Sequence, residues 1–308
     1  MHLTLRQMKV FEAVARLGSY TRAAEELHLT QPAVSMQIKQ LEENAGLPLF
    51  EQLGKKIYLT QAGQEMHHYS RAIAQQLDEV DKVMADMKGV KRGRLVVAVA
   101  STANYFAPHI LAAFNHQYEG ITFSLDVTNR AGLLQHLDNN DADVVIMGKP
   151  PAGIDVEAFE FMDNPLVVIA PPNHPLLKQQ EIPISTLLKE TFILREQGSG
   201  TRFAIERFFA ERDASIPATM DMSSNEAIKQ AVQAGLGLGI LSIHTLEMEL
   251  TLKRLAILDV ESFPIMRKWY IVHRMGKRLS PVAVAFKEFL LANAAEMTKP
   301  LAALMKQH

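Results

Sequence analysis

Cysteine is absent from all 308 residues. That excludes disulfides, thiolate-held metals, iron–sulfur clusters and a cysteine nucleophile, and it fits a reducing compartment. No stretch approaches the roughly 18 uncharged apolar residues that a membrane span requires. Residues 1–20 interleave Arg6, Lys9, Glu12 and Arg16 with the apolar positions, so the apolar core of a secretory signal is missing. The expected location is cytoplasmic, with no membrane partner. Net charge is only -2, so no global basic field announces a nucleic acid. Catalytic signatures are missing too. There is no HExxH and no GxSxG, and the GSGT at 198–201 is followed by neither GKS nor GKT. Asp138, Asp141 and Asp143 lack the glycine and terminal glutamate of a calcium loop, so a solvated turn is the expectation there. No enzyme, metal or resident cofactor is expected.

What is present describes a folded chain of two or three domains, with 48% hydrophobic and 21% charged residues. Residues 1–60 carry helical patterning. Leu5, Met8, Phe11, Val14, Ala15 and Leu17 recur at helix spacing, Gly18 ends that helix, and Ser19 or Thr21 is placed to cap the next. Thr30 is expected to cap a third helix with Pro32 in its first turn. A short hairpin is read at 49–60, its tip at Gly54, Lys55 and Lys56. From Gln61, the apolar positions Ala62, Met66, Tyr69, Ile73, Leu77, Val80, Met84 and Met87 advance in steps of three and four. A stripe that narrow over residues 61–88 is read as a dimerisation seam, with Met66, Tyr69, Ile73, Leu77, Val80 and Met84 as its knobs. A core-facing amphipathic helix is the plainer alternative. Residues 89–93 (GVKRG) then read as a hinge.

The period changes at Arg94. Buried-strand runs at 95–100, 144–147, 166–170, 192–194 and 238–242 alternate with helical stretches. That alternation predicts βαβ units with parallel sheets. Two such series point to two lobes, one near 94–163 plus 268–292 and the other near 164–267, within a regulatory unit of 94–308.

Two short helices joined tightly, with Ala24 small at the crossing and Val34 filling the angle, form a helix-turn-helix. In that arrangement the third helix offers Gln31, Pro32, Ser35, Met36 and Lys39 to the major groove of double-stranded DNA. Lys55 and Lys56 at the hairpin tip suit phosphates. Seven Lys/Arg against six Asp/Glu leave residues 1–60 at +1, so helix spacing alone leaves a plain helical bundle open. A DNA reader requires Glu25, Glu26, Glu42 and Glu43 to face away from phosphate. In the second half, candidate ligand groups sit where strands give way to helices. They are Ser101, Thr102, Thr128, Asn129, the adjoining Arg130, Gly148, Lys149 and Thr201, with Arg195 and Arg202 added as fixed charge for an anion. Simple helix capping is the alternative for each hydroxyl.

The stretch YTRAAEELHLTQPAVSMQIKQLEENAGLPLF at 20–50 resembles the winged helix-turn-helix of LysR-type transcriptional regulators. It carries AA-x-x-L, TQPAVS-x-QI-x-x-LE and G-x-x-LF in order, and LTQAG and the long helix follow. Met36 and Gln52 stand where many members carry arginine. The segments LFEQLGKKIYLT, ANYFAPHILAAF and VIMGKPP are similar to members that control RuBisCO and other Calvin-cycle operons. The resemblance implies an all-α winged helix-turn-helix domain (1–60) and long linker helix, followed by a two-lobed α/β domain like the periplasmic binding proteins. It implies a homodimer or homotetramer that binds a promoter or operator and touches RNA polymerase. It places effector contacts at Ser101, Thr102, Thr128 and near Thr201, the effector being a sugar phosphate, phosphoenolpyruvate or NADPH. Regulation of another metabolic operon and a ligand-independent architectural DNA binder are the remaining alternatives.

Overall fold

The chain divides into two compact units, residues 1–90 and 91–308. The computed structural model describes residues 3–54, 56–87, 93–216 and 218–297. Lys55 and the 89–92 part of the expected hinge lie outside these, while Gly93 opens a strand.

In the first unit, α1 (Leu5–Leu17) starts with a capping box. The Gln7 amide donates to the Thr4 hydroxyl at 3.2 Å, and the Thr4 amide donates back to Gln7 Oε1 at 3.0 Å. Gly18 stops the helix in the left-handed region at φ 61°, where its lack of a Cβ removes the penalty. Ser19 caps α2 (Tyr20–Glu26) through the Arg22 amide. The third helix, α3 (Gln31–Ala45), begins after Thr30, with Pro32 in its first turn. The Thr30 hydroxyl makes no capping bond, contrary to the sequence expectation; the proline ring already sets the helical φ and removes one of the donors that need satisfying. Phe11, Ala23, Ala24, Val34, Ile38 and Leu41 form one buried cluster, so the small residue at 24 and the plug at 34 meet as the pattern requires. The hairpin β1 (Phe50–Leu53) and β2 (Lys56–Leu59) pairs antiparallel.

The long α4 (Gln61–Met87) spans 27 residues. Its start is pinned to the chain entering the hairpin. The Thr60 hydroxyl accepts from the Gly63 amide at 3.0 Å and donates to the Pro48 carbonyl at 2.6 Å. A Cβ on Gly63 would lie 2.0 Å from the Leu49 carbonyl oxygen, which no backbone tolerates. Along α4, Tyr69, Ile73, Val80 and Met84 are exposed. Met66 instead packs into the core of its own unit. Leu77, half-buried, lines a groove with Leu5, Val10, Leu27 and Leu29. Among the described residues no helix is long and apolar enough to cross a membrane.

The second unit runs β3 (Gly93–Ala100), α5 (Ala107–Gln117), β4 (Ile121–Thr128), α6 (Arg130–Asn139), β5 (Val144–Met147) and β6 (Val156–Asp163). It crosses into β7 (Leu166–Ala170), α7 (Ile184–Leu187), β8 (Phe192–Arg195), α8 (Gly200–Ala210), β9 (Ala218–Met222), α9 (Asn225–Gln233), β10 (Leu238–Ser242), α10 (Glu247–Thr251) and β11 (Ala256–Ile257). It then returns through β12 (Lys268–Arg274) to α11 (Pro281–Met297). The two sheets have the orders β4-β3-β5-β12-β6 and β11-β7-β10-β8-β9. On β3, Leu95, Val97 and Val99 face one cluster with Phe114 and Phe286, while Ala98 faces Leu133 and Leu137 on the other side. That is the two-residue alternation of a strand covered on both faces.

The sheets are mixed rather than parallel. β12 lies antiparallel to β5 and β6, and β7 lies antiparallel to β10 and β11. The cause is the double crossing. Each of these two strands begins at the junction between lobes, whereas its neighbours end there. The junction itself is stitched by Asn164 N–H donating to the Arg267 carbonyl at 2.8 Å and Leu166 N–H to Ile265 at 3.0 Å. Strands β6 and β9 were not legible beforehand. β6 (VEAFEFMD) is a half-exposed edge carrying three carboxylates, so it lacks the apolar run that marks a buried strand.

His244, just beyond β10, is buried against Phe106 and Trp269, and its Nε2 sits 2.8 Å from the Asp163 carbonyl. Burial pulls its pKa below the ordinary 6.5, outweighing the Asp163 bond, and Arg267 adds to the lowering. A lowered folded-state value means that stability is fully present above the unfolded value and is lost as pH falls through the folded one.

Two outcomes follow from this packing. Gly63→Ala should cost about 3 kcal/mol through overpacking, lowering the urea midpoint of the N-terminal unit followed by circular dichroism; an unchanged midpoint contradicts the close approach. The wild-type Tm should fall as pH drops below 6.5, and His244→Gln, which retains a donor for Asp163, should fall less over the same range. Parallel Tm curves would remove His244 from the acid response.

Candidate functional site

The third helix, α3, divides cleanly by face. Val34, Ile38 and Leu41 are buried, whereas Gln31, Pro32, Ser35, Met36 and Lys39 are all exposed. Met36, at 62% exposure, is a large apolar side chain left in water, which is costly unless a partner covers it. Two carboxylates of this unit, Glu42 on α3 and Glu26 on α2, are already engaged. Glu42 accepts the Leu49 and Phe50 amides at 2.8 and 3.1 Å, tying α3 to the hairpin, and Glu26 pairs with Arg16 at 2.5 Å. Glu42 is thus engaged with backbone away from the exposed edge, as a DNA-facing helix requires. Lys56 is exposed on the hairpin.

In the second unit the strand arrangement fixes the second site. Because β12 and β7 run against their sheets, the C-terminal ends of β3, β4, β5, β8 and β10 all meet between the lobes, the position where open α/β sheets bind ligands. A cavity of about 500 Å³ opens there. Of the expected residues, Ser101, Thr102, Asn129, Gly148, Lys149, Arg195 and Thr201 line it. Two do not. Thr128 is turned onto Gly132, where a Cβ would come within 2.3 Å of its hydroxyl. Arg202 is drawn off by Glu206, Asp221 and the Arg195 carbonyl. Asn129 also caps α6 through the Gly132 amide at 3.1 Å, and Ser199 caps α8 through Thr201. Capping and cavity lining therefore coincide in these residues.

The electrostatics of the cavity are one-sided. Its wall carries Arg130, Lys149, Arg195, Arg207, Arg267 and Lys268, and no carboxylate among the described residues. Three of these cations are neutralised from outside. Glu196 grips Arg195 at 2.7 and 2.9 Å, Glu211 meets Arg207 at 3.4 Å, and Glu160 and Asp163 hold Lys268 at 2.9 and 2.7 Å. The Lys268 pairs push its ammonium pKa upward. Arg130, Lys149 and Arg267 have no carboxylate partner among the described residues. Burial pulls the Arg130 guanidinium down, and it pulls Arg267 down to about 10. Such a wall suits an anion.

Arg195 is a framework residue as much as a ligand group. At 2% exposure it bonds Asn225 at 2.9 Å in its own lobe and the Ser101 hydroxyl at 3.2 Å in the other. A second link between lobes lies at Tyr105. Its hydroxyl donates to Glu226, and its ring covers the Lys229 ammonium at 4.9 Å. Lys229 is in turn held by Glu249 at 2.9 Å and the Thr245 carbonyl at 3.0 Å.

Arg130, which follows Asn129 at the same strand end, lines the cavity too, whereas sequence reading missed Phe203, Arg267 and Tyr270. Arg130 stood beside Asn129 and was legible from that position. Arg267 sits on the return crossing, remote in sequence from every other group, and no local pattern marks it.

Comparison with known proteins follows the same division. Residues 5–64 match the model of the bacterial regulatory helix-turn-helix protein, lysR family, and residues 88–295 match that of the LysR substrate binding domain. The chain is 60% identical to the RuBisCO operon transcriptional regulator of Allochromatium vinosum over 297 residues, covering 96% of this chain and 98% of that protein. It is 49% identical to the HTH-type transcriptional activator CmpR of Synechocystis over 290 residues, 94% of this chain and 95% of that one. Among solved structures, the Synechocystis CcmR regulatory domain in complex with 2-PG matches at 44% identity and TM-score 0.64, covering 67% of this chain and 99% of that one. CbnR complexed with its target DNA shares the fold at 21% identity and TM-score 0.70, over 95% of this chain and 100% of that one. This chain belongs to the LysR family of bacterial helix-turn-helix transcription regulators.

Proposed function

We propose that this protein is a DNA-binding regulator of RuBisCO and carbon-fixation genes that responds to a small anionic metabolite held between its two lobes. The observation that carries the ligand half is the cavity wall of six cations without a carboxylate among the described residues. The exposed edge of Gln31, Pro32, Ser35, Met36 and Lys39 carries the DNA half. Gln31 is suited to an adenine edge, Pro32 and Met36 to thymine methyls, and Ser35 and Lys39 to base or phosphate oxygens. Lys55 and Lys56 reach the adjoining backbone.

The assignment to carbon-fixation genes is supported by 60% identity along nearly the whole of a RuBisCO operon regulator. The ligand class is supported by 2-PG in a regulatory domain 44% identical to this one; phosphoenolpyruvate, sugar phosphates and NADPH carry similar charge. Exposed Tyr69, Ile73, Val80 and Met84 on α4 are the seam for a second copy, because a helix that leaves such a stripe in water is completed by another helix. A dimer, doubled into a tetramer, sets two recognition helices about one turn of DNA apart or a multiple of it. The metabolite must favour one lobe arrangement over the other for any signal to reach polymerase.

Gel shift on the intergenic fragment upstream of the carbon-fixation operon tests the DNA reading. Gln31→Ala or Ser35→Ala should weaken binding by about 1–3 kcal/mol where the contact is to a base, and unchanged affinity removes that residue from the readout. Footprints with and without 2-PG, phosphoenolpyruvate, ribulose bisphosphate and NADPH should differ for at least one compound. Ile73→Lys should shift sedimentation toward the monomer, and an intact oligomer rejects the seam.

A further inference from the structure

Arg267 stands apart from the other cations of the cavity. It lies on the return crossing between lobes, where its carbonyl accepts from Asn164. One of its N–H groups, on Nη1, donates to the Gly200 carbonyl at 3.2 Å. Its Nε is shut away from solvent with no acceptor, and no carboxylate among the described residues offsets its charge. Desolvation is strong enough to draw the guanidinium down to about 10. Arg267 is half-buried; a charge drawn out of water without a counter-ion is costly, and folded proteins retain such groups mainly where function uses them.

The surroundings give the reason a ligand-binding form. Gly200 opens α8, an 11-residue helix capped by Ser199. Arg130 also approaches Gly200, its Cδ 3.8 Å from a Cβ added there. Arg130 opens α6 in the opposite lobe, bonds the Lys149 carbonyl at 2.9 Å and has no carboxylate partner among the described residues. Two guanidinium groups without a carboxylate partner among the described residues therefore lie at the first turn of a helix, whose N-terminus itself favours negative charge.

We infer that Arg267, with Arg130 beside the same Gly200, is the charge partner of the effector's oxyanion and the residue that makes the site select phosphate-bearing dianions over single carboxylates. The inference rests on the effector reading above and assigns it a specificity-determining residue. An oxyanion in this position touches three bodies at once: lobe I through Arg130, lobe II through α8, and the crossing itself through Arg267. The guanidinium, now bonded only to a carbonyl, would gain a charged acceptor. Binding is then felt at the segment about which the lobes are joined, and tight binding and lobe arrangement become coupled. Arg195 does not fill this role, because Glu196 already occupies its fork.

The test uses the full-length protein and its Tm, with 2-PG, phosphoenolpyruvate, inorganic phosphate and pyruvate as probes, for wild type, Arg267→Met and Arg267→Lys. Wild type should be raised by the phosphate-bearing probes and little by pyruvate. Without ligand, Arg267→Met should melt at the wild-type temperature or higher, because an uncompensated charge has been removed, while its affinity for the phosphate-bearing probes falls roughly tenfold or more. Arg267→Lys, keeping the charge but not the fork, should fall in between. Wild-type affinity in Arg267→Met overturns the assignment while leaving the effector reading intact. A ligand-free Arg267→Met that melts several degrees lower makes Arg267 a structural strut and also overturns it. A wild type that no probe shifts removes the effector reading and this assignment together.

Discussion

The double passage of the chain between lobes is the constraint on which the regulatory unit depends. Each crossing starts a strand at the junction, and that strand must run against its neighbours. All the neighbouring strands then end at the junction, bringing their following loops and helix starts with them. Ala100–Thr102, Asn129–Arg130, Gly148–Lys149 and Arg195–Thr201 come from four separate strand ends, yet they share one cavity. Hydroxyls and amides at such ends are polar by necessity, since helix starts carry unpaired N–H groups. The fold thus concentrates donors at one place before any particular ligand is considered.

Charge then decides what those donors can hold. The cavity cations divide into two groups, those neutralised by carboxylates outside the wall and those left uncompensated. The first group serves the framework. Arg195 bridges Glu196, Asn225 and Ser101, and so helps register the two lobes. The second group leaves part of the cavity wall positive and unmatched among the described residues. This separation matters because a buried cation already matched by a carboxylate contributes little attraction to a ligand, whereas an unmatched one contributes most where water is excluded.

In the N-terminal unit the same economy appears in hydrophobic form. The helix α3 buries one face against α1 and α2 and leaves the other with an exposed methionine, a proline and three polar side chains. Glu42, which would repel a phosphate backbone, is consumed in holding the hairpin amides. Gly63 lets α4 begin in direct contact with the Leu49 carbonyl, so the long helix leaves this unit from a fixed point. The apolar stripe beyond it remains in water.

Much of this was legible from residues alone because local physics dominates helices. The periodicity of α1, α3 and α4, the Gly18 stop and the Ala24–Val34 crossing all depend on neighbours within a few turns. The exposed edge from Gln31 to Lys39 was readable for the same reason: a helix with one buried face has its opposite face determined. Buried strands such as 144–147 and 238–242 announced themselves by apolar runs. Other features depended on partners far away in sequence. Strand direction was set by where the chain crosses, and edge strand β6 had too many charges to look buried. Met66 could serve a seam or its own core, and spacing does not choose between them. Thr128 and Arg202 stood in the right loops, but side-chain orientation sent one onto Gly132 and the other to Glu206 and Asp221. Arg267 had no signal at all, since its meaning comes from Gly200 and Arg130, which tertiary folding alone brings beside it. The sequence by itself determined the helices, the buried strands and which face of α3 is left exposed. The tertiary structure decided which charges are cancelled and which are left for a ligand, because compensation depends on distance in space.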